Sequence, residues 1–112
     1  MLNKIIIMGR LVADPELRQT ASNVSNVKFT VAVDRNYTPQ GQEKQTDFIS
    51  VVAWRPTAEF INKYFAKGSM LVVEGRLQTG SFTDKNGVKR YTTDVIADQV
   101  YFAENKKNAE KP

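Results

Sequence analysis

The sequence predicts an all-β domain with a single helix, and three observations support this. Segment 27–35 alternates apolar and polar residues, the period of a strand with one buried face, and the polar loop 36–45 joins it to a second, less regular apolar run at 46–54. An amphipathic helical pattern begins near Pro56. Asp-Lys-Asn-Gly at 84–87 is a hairpin turn signal. The 112 residues suit one domain with one modest core.

The N-terminal half begins with a strand expected over Asn3–Val12, in which Gly9 indicates a bulge or a sharp bend. Segment 13–26 contains Asp-Pro-Glu and a polar run, so we expect a loop or a short helical turn. The helix is expected between Thr57, as its N-cap, and Gly68, just past its C-terminal end. Its core-facing residues are expected to be Ala58, Phe60, Ile61, Tyr64 and Phe65.

The C-terminal half contains two further strands. Strand four is expected from Met70 to about Thr79, with a bend at Gly75. Phe82 would lie on its outward face if the strand continues. Asn-Gly at 86–87 predicts a type I′ turn, and strand five is expected over Lys89–Phe102.

Five strands with a helix between the third and fourth predict an oligonucleotide-binding (OB) fold, a five-stranded Greek-key barrel. An SH3-like barrel or a small sandwich would also contain many short strands, but the position of the helix favours the first. We expect residues 1–103 to form the domain. Residues 104–112 lack apolar periodicity and are expected to be a disordered polar tail.

Composition excludes several classes of function. The chain has neither cysteine nor histidine, so thiol nucleophiles, the usual general base and strong metal ligands are missing. Neither a P-loop nor a G-x-G-x-x-G motif occurs. We therefore predict a protein that is not an enzyme and that has no cofactor and no metal. The net charge of +4 is too small to identify a polyanionic partner by itself.

Targeting signals are also absent from the sequence pattern. The first apolar run breaks at Gly9-Arg10 and has no small-residue cleavage site, which indicates a core strand and not a signal peptide. No apolar segment approaches the length needed to span a membrane. We expect a cytoplasmic protein with no membrane partner.

Large rings are expected on the outside of the sheet. If Ile49, Val51 and Ala53 face the core, then Phe48 and Trp54 face solvent. The alternative for either ring is a core position, with the strand phase shifted by one residue. Three other rings, Phe29, Phe60 and Phe65, are expected in the core. Tyr64 and Tyr91 are expected to pack with only their hydroxyls near water.

The exposed rings coincide with cations. Tyr37, Phe48, Trp54 and Phe82 supply rings, and nearby cations are Arg10, Arg35, Arg55, Arg76 and Arg90. Single-stranded nucleic acid requires cations for its phosphates and flat rings for its bases, and each stacked base contributes about 1–3 kcal/mol. The pattern therefore predicts binding of a single strand. A single-stranded RNA binder, or a protein-interaction subunit on the same fold, would carry the same features.

Three segments resemble the bacterial single-stranded DNA-binding protein family. They are GRLVADPELR (Gly9–Arg18), KYFAKGSMLVVEGRLQT (Lys63–Thr79) and RYTTDVIAD (Arg90–Asp98), and the likeness extends over Met1–Phe102. The resemblance implies an OB fold assembled as a homotetramer in the bacterial cytoplasm, associated with the nucleoid. It also implies sequence-independent binding and protection of single-stranded DNA in replication, recombination and repair.

The resemblance also implies individual site residues. The family's base-stacking positions fall on Tyr37, Phe48, Trp54 and Phe82, although the ring types differ from the commonest family pattern, which has phenylalanine at Trp54 and tryptophan at the other three. The positions that resemble family phosphate contacts are Lys4, Arg35, Lys67 and Arg90. Arg10, Arg55 and Arg76 are basic where the family varies, so they are candidates only from their predicted place on the sheet.

The C-terminus departs from the family pattern. Family members that recruit replication and repair proteins end in a Gly, Pro and Gln-rich linker with an acidic tip, whereas this sequence ends in Lys-Pro after a basic stub. The sequence is compatible with a longer chain cut to its DNA-binding core and with a short paralog. We expect recruitment of partners through an acidic tip to be absent.

Overall fold

The computed structural model describes residues 1–104, which form six strands and one helix. In chain order these elements are β1 (Ile5–Leu11), β2 (Glu16–Gln19), β3 (Ser25–Asp34), β4 (Thr46–Trp54), α1 (Arg55–Tyr64), β5 (Met70–Thr83) and β6 (Lys89–Phe102). No helix in the described range is long and apolar enough to cross a membrane.

The strands form one sheet that closes on itself. Their order is β1-β5-β6-β4-β3-β2, and β1 also pairs with β3 through Arg10–Ala32 and Leu11–Val31. This second pairing joins five strands into a barrel and leaves β2 as a short strand on the edge of β3. A five-stranded barrel with a helix after β4 is the architecture of the OB fold, so the predicted fold is confirmed.

The barrel interior is filled by alternate residues of its strands. Val27, Val31 and Val51 are completely buried, and Phe29 is paired with Val51 across β3 and β4. Helix α1 contributes Ala58 and Ile61 to this core, which therefore extends from the barrel onto the helix. The remaining buried apolar residues are Leu11, Ala53, Phe65, Leu71, Val73, Val95, Ala97 and Val100.

Two glycines allow close approach of neighbouring strands. A Cβ atom on Gly9 would overlap the carbonyl oxygen of Ala32, next to Arg10, which pairs with both β5 and β3. A Cβ atom on Gly75 would overlap the carbonyl oxygen of Ile96. The register of β5 against β6 shifts between Glu74 and Gly75, whereas the pairing of β1 with β5 is regular through Gly9. The bulge therefore lies at Gly75, and Gly9 allows β3 to approach β1 closely while β1 stays paired with β5.

Segment 13–26 differs from its prediction as a loop or short helical turn, because it contains β2. This strand pairs with β3, and Leu17, opposite Val27, packs against the core. Only one apolar residue of β2 points inward, and one residue is too short a pattern to reveal a strand. The predicted segment becomes a strand through its tertiary pairing with β3.

The start of helix α1 also differs from the prediction. Trp54, and not Thr57, is the N-cap, and no side-chain hydrogen bond caps the helix. Arg55 adopts a positive φ of 58°, so β4 turns directly into the helix with no intervening residues. The helix ends at Tyr64, earlier than its predicted limit, and Gly68 (φ 88°) lies in the following turn, where its N–H donates to the carbonyl oxygen of Leu11.

The hairpin between β5 and β6 is longer than predicted, because β5 continues to Thr83. The prediction of a type I′ turn was wrong. That turn requires positive φ at both central residues, and within 84–87 only Gly87 has one, at 78°. Instead, the Asp84 carboxylate accepts hydrogen bonds from the backbone N–H groups of Asn86 and Val88.

The beginning of the predicted tail is held against the barrel. The Glu104 carboxylate accepts a hydrogen bond from the backbone N–H of Met70 at 3.1 Å and lies 3.6 Å from Nη1 of Arg10. Glu104, the first residue of the predicted tail, therefore contacts β1 and β5. The rest of the predicted tail, 105–112, lies outside the described residues.

Candidate nucleic-acid interface

Strand β4 presents two large rings on its outer face. Val51 and Ala53 are completely buried, whereas 67% of Phe48 and 41% of Trp54 are exposed. Phe48 and Trp54 therefore point outward from β4 as predicted, and the alternative that these rings lie in the core does not hold. Since Phe48 and Trp54 are six residues apart on one face, the strand separates them by about 20 Å.

The other two predicted rings are exposed outside β4. Tyr37 is exposed in the β3–β4 loop, and Phe82 is exposed near the end of β5, opposite Arg90 of β6. Strands β4 and β6 pair only through Val51–Val95 and Val52–Ile96. Beyond these pairs the β5–β6 hairpin extends as a two-stranded arm, and Phe82 lies on this arm.

Two of the predicted arginines are held by carboxylates. The Nε–H of Arg35 donates to Oδ2 of Asp47 at 3.1 Å and its Nη2 donates to Oδ1 at 2.9 Å, which fixes the guanidinium at the start of β4. The Nε–H of Arg90 donates to Oδ2 of Asp84 at 2.9 Å, opposite Phe82. Hydrogen bonds from Arg35 lower the pKa of Asp47 and raise that of Arg35 itself.

Lys4 and Arg10 also have carboxylate partners. Lys4 forms an ion pair with Glu74, and the hydroxyl of Tyr101 donates to the same carboxylate at 3.1 Å. Hydrogen bonds from Lys4 and then from Tyr101 lower the pKa of Glu74. Arg10 pairs with Glu104, and its Nη1 donates to the carbonyl oxygen of Gly68 at 2.8 Å.

Arg55, Lys67 and Arg76 have no carboxylate partner among the described residues. The Nη2 of Arg76 donates only to the neutral Gln78, at 3.3 Å. Lys28, which is not among the predicted cations, is likewise an exposed cation without an ion pair in residues 1–104. It could have been found from the alternation of β3, which places it on the same face as the rings.

The predicted cations do not all lie with the rings. Arg10 is paired with Ala32, which is paired with Phe48, so these three residues form one row across β1, β3 and β4. Arg76 lies on the outer face of β5, opposite Ile96 of β6. Lys67 lies instead in the loop after α1, where its backbone N–H donates to Asp14.

Lys4 lies on a different part of the barrel. It pairs with Glu74, near the start of β5, and shares a face with Ile6 and Met8 of β1. The structure therefore does not bring Lys4 together with the four rings.

The predictions for the remaining rings are mixed. Phe29 and Phe65 are buried as predicted, and Phe60 is half-buried, with Tyr64 lying 5.0 Å away between ring centroids. Tyr91 was predicted to pack but is 76% exposed. It lies on the arm, where strand alternation continues but there is no core for an inward residue to reach.

No group of three or more Asp or Glu residues in the described range could hold a metal ion. Their carboxylates contact cations, backbone N–H groups and hydroxyls, as at Asp34, Asp47, Glu74 and Asp84. These contacts orient the carboxylate side chains.

A small closed barrel with exposed rings and arginines on its outer surface belongs to the class of oligonucleotide-binding domains. Residues 2–103 match the model of the Single-strand binding protein family. The chain therefore belongs to the single-strand binding protein family.

Several characterised relatives are similar over nearly the whole chain. Single-stranded DNA-binding protein 1 of Staphylococcus aureus strain Mu50 is 47% identical over 106 residues, which are 95% of this chain and 68% of the relative. Single-stranded DNA-binding protein 2 of Listeria monocytogenes is 43% identical over 108 residues, covering 96% and 68%. Single-stranded DNA-binding protein 2 of S. aureus strain COL is 45% identical over 108 residues, covering 96% and 78%.

Proposed function

We propose that this protein binds single-stranded DNA without marked sequence preference and protects it during replication, recombination and repair. The observation that carries the proposal is that Phe48 and Trp54 face solvent on a strand whose alternate residues, Val51 and Ala53, are completely buried. Exposed rings on a rigid strand can stack on unpaired bases. The names of the relatives support DNA as the ligand.

Binding combines stacking with neutralisation of phosphates. Bases stack on Tyr37, Phe48, Trp54 and Phe82, each contributing about 1–3 kcal/mol whatever its identity. Arg55 and Arg76, which have no carboxylate partner in residues 1–104, replace counterions at the phosphates. Arg35 and Arg90 have N–H groups beyond those that hold Asp47 and Asp84, and these can donate to a phosphate. Duplex DNA is excluded because its bases cannot reach the rings.

Replacement of Trp54 by alanine tests this function. We expect Trp54→Ala to weaken binding of labelled oligo-dT, measured by fluorescence anisotropy, by about 1–3 kcal/mol per engaged site. Tyr64→Ala is the matched control, since it removes a ring of similar exposure from α1. Thermal unfolding of both variants shows whether the fold is retained.

The competitors in the same assay discriminate among ligands. Unlabelled oligo-dT should displace the probe, whereas duplex DNA and RNA of equal length should compete poorly. Stronger competition by RNA would favour the RNA-binding alternative. A Trp54→Ala variant with unchanged affinity, or one that unfolds, would contradict the assignment of Trp54 to the binding face.

The proposal includes assembly into a homotetramer. Ile6 and Met8 expose 65% and 57% of their surface on the outer face of β1, flanked by the Lys4–Glu74 pair. Apolar residues that are exposed side by side on a strand indicate a contact surface. We expect a second copy of this chain to cover the patch. A single DNA strand that contacts the binding sites of several subunits would then be bound more tightly than by one subunit alone.

Sedimentation analysis tests the assembly. The unmodified protein should sediment as a tetramer at micromolar concentration, and Ile6→Glu with Met8→Glu should yield smaller species. A monomeric unmodified protein would contradict the proposed tetramer without contradicting binding of DNA. The proposal further describes a cytoplasmic, nucleoid-associated protein that performs no catalysis and needs no cofactor.

A further inference from the structure

The outer face of the sheet continues from Trp54 across β3 to β2. Trp54 is paired with Asn26, and Asn26 is paired with Arg18, so these three residues form one row over three strands. The next row contains Glu16, Lys28 and Val52. Because neighbouring strands are about 4.8 Å apart, β2 lies only about 10 Å from the strand that carries Trp54.

Four of these outward residues line a shallow groove on β2 and β3: Glu16, Arg18, Asn26 and Lys28. The residues between them, Leu17 and Val27, point inward to the core, which fixes the opposite direction for the groove residues. The lining residues are all polar or charged, and the groove is continuous with the outer face of β4 through the Asn26–Trp54 pair.

The groove carries two exposed cations, Lys28 and Arg18, that an anion can reach. Lys28 has no ion pair among residues 1–104. Arg18 contacts the Glu16 carboxylate at 3.3 Å, but both side chains are more than 70% exposed, and exposed pairs of this kind contribute little. Two cations against one carboxylate leave a net positive charge.

We infer that this groove is a phosphate subsite, which holds the backbone of a single DNA strand next to the base stacked on Trp54. The inference rests on the proposed function and extends it to residues of β2 and β3. The ammonium of Lys28 and the guanidinium of Arg18 contact successive phosphates, and the amide of Asn26 lies between them. Glu16 opposes binding by its charge and by holding Arg18.

The salt dependence of binding tests the subsite. Each phosphate contact that is lost makes the slope of log affinity against log salt shallower by about 0.7 for a single strand. We expect this change for Lys28→Ala in titrations of the unmodified protein and variants with oligo-dT, followed by Trp54 fluorescence. Lys63→Ala is the matched control, because Lys63 is a basic residue near the far end of α1, over the ring of Tyr64.

A second variant is expected to change the affinity in the opposite direction. Glu16→Gln should raise affinity several-fold at low salt, because it removes the negative charge from the groove and releases Arg18. Lys28→Ala should retain full quenching at saturation and an unchanged unfolding midpoint, since its side chain is exposed.

The outcomes separate the subsite from the function on which it rests. If oligo-dT quenches Trp54 but Lys28→Ala has the same salt slope as Lys63→Ala, the phosphate subsite is overturned and the proposed function stands. An unchanged affinity in Glu16→Gln would also count against the subsite. If oligo-dT does not bind the unmodified protein, both inferences fail.

Discussion

Arg55 has a strained backbone conformation and lies directly after Trp54 in the chain. Its φ of 58° lies in the left-handed region, which costs a residue with a Cβ atom about 1–2 kcal/mol. Strain of this kind often persists at functional sites. Arg55 directly follows Trp54 in the chain, so the residue with the strained backbone is a cation next to a proposed stacking residue.

Replacement of Arg55 by glycine separates the two effects. Arg55→Gly should leave the unfolding midpoint unchanged or raise it slightly, because glycine adopts positive φ without a steric penalty. The same variant should bind oligo-dT more weakly, with a salt slope shallower by about 0.7. Calorimetry and a salt series of binding titrations measure the two quantities.

Asn23→Gly is the stability control, since Asn23 also has a positive φ, of 64°, and asparagine tolerates this conformation. It should change the unfolding midpoint little. A marked loss of stability in Arg55→Gly would show that the arginine side chain supports the fold.

Sequence alternation could predict whether individual rings point to the core or to solvent. It could not predict which cations form ion pairs. The exposure of Phe48 and Trp54 follows from the period of β4. The partner of Lys4 is Glu74, seventy positions away, and this pairing depends on the register of β1 against β5. Which cations are unpaired, such as Lys28, is therefore visible only in the folded chain.

At the level of elements, the β5–β6 arm depends on its turn. The Asp84 carboxylate accepts two backbone hydrogen bonds, from Asn86 and Val88, and one from the side chain of Arg90. The arm has no core of its own, and an isolated two-stranded hairpin is marginally stable. Asp84 therefore orders the part of the arm that carries Phe82.

Asp84→Ala should loosen the arm while leaving the barrel intact. Backbone N–H groups near 82–90 should exchange with solvent faster, whereas those of β3 and β4 should not change. Affinity for oligo-dT should fall, because Phe82 and Arg90 lose their fixed positions. Asp94→Ala, also on the arm but outside the turn, is the control, and equal protection in both variants would contradict this role of Asp84.

The long elements were predictable and the short ones were not. The hairpin of β3 and β4, strand β6 and the existence of α1 follow from strong periodic patterns. Strand β2 escaped prediction because a single inward residue, Leu17, carries its signal. The prediction of the turn type at 84–87 was wrong because the side chain of Asp84, and not its backbone carbonyl, accepts the hydrogen bond from the backbone N–H of Val88.

At the scale of the whole molecule, ionised carboxylates stabilise the folded state by forming hydrogen bonds and ion pairs with other side chains and with backbone N–H groups. The pKa values of Asp34, Asp47, Glu74 and Asp84 are all lowered, mainly by hydrogen bonds from Thr46, Arg35, Lys4 and the backbone N–H of Val88 respectively. A carboxylate whose pKa is lowered by folding stabilises the folded state above its unfolded pKa. That contribution is lost as pH falls through the folded pKa.

Stability should therefore be constant from pH 7 to about 5 and should decline below about pH 4. Thermal unfolding at a series of pH values measures this. The decline should be smaller in Asp47→Asn with Asp84→Asn, because that variant has fewer low-pKa carboxylates to protonate. The same decline in both proteins would show that these two carboxylates do not contribute.

The binding face is tested most directly by the fluorescence of Trp54, which is the only tryptophan in the chain. Oligo-dT should quench this fluorescence to saturation, and duplex DNA of equal length should not. The affinity should fall with salt at a slope of about −0.7 for each phosphate neutralised. If no nucleic acid changes the fluorescence, or if binding is independent of salt, the outer face of β4 is not the DNA-binding surface.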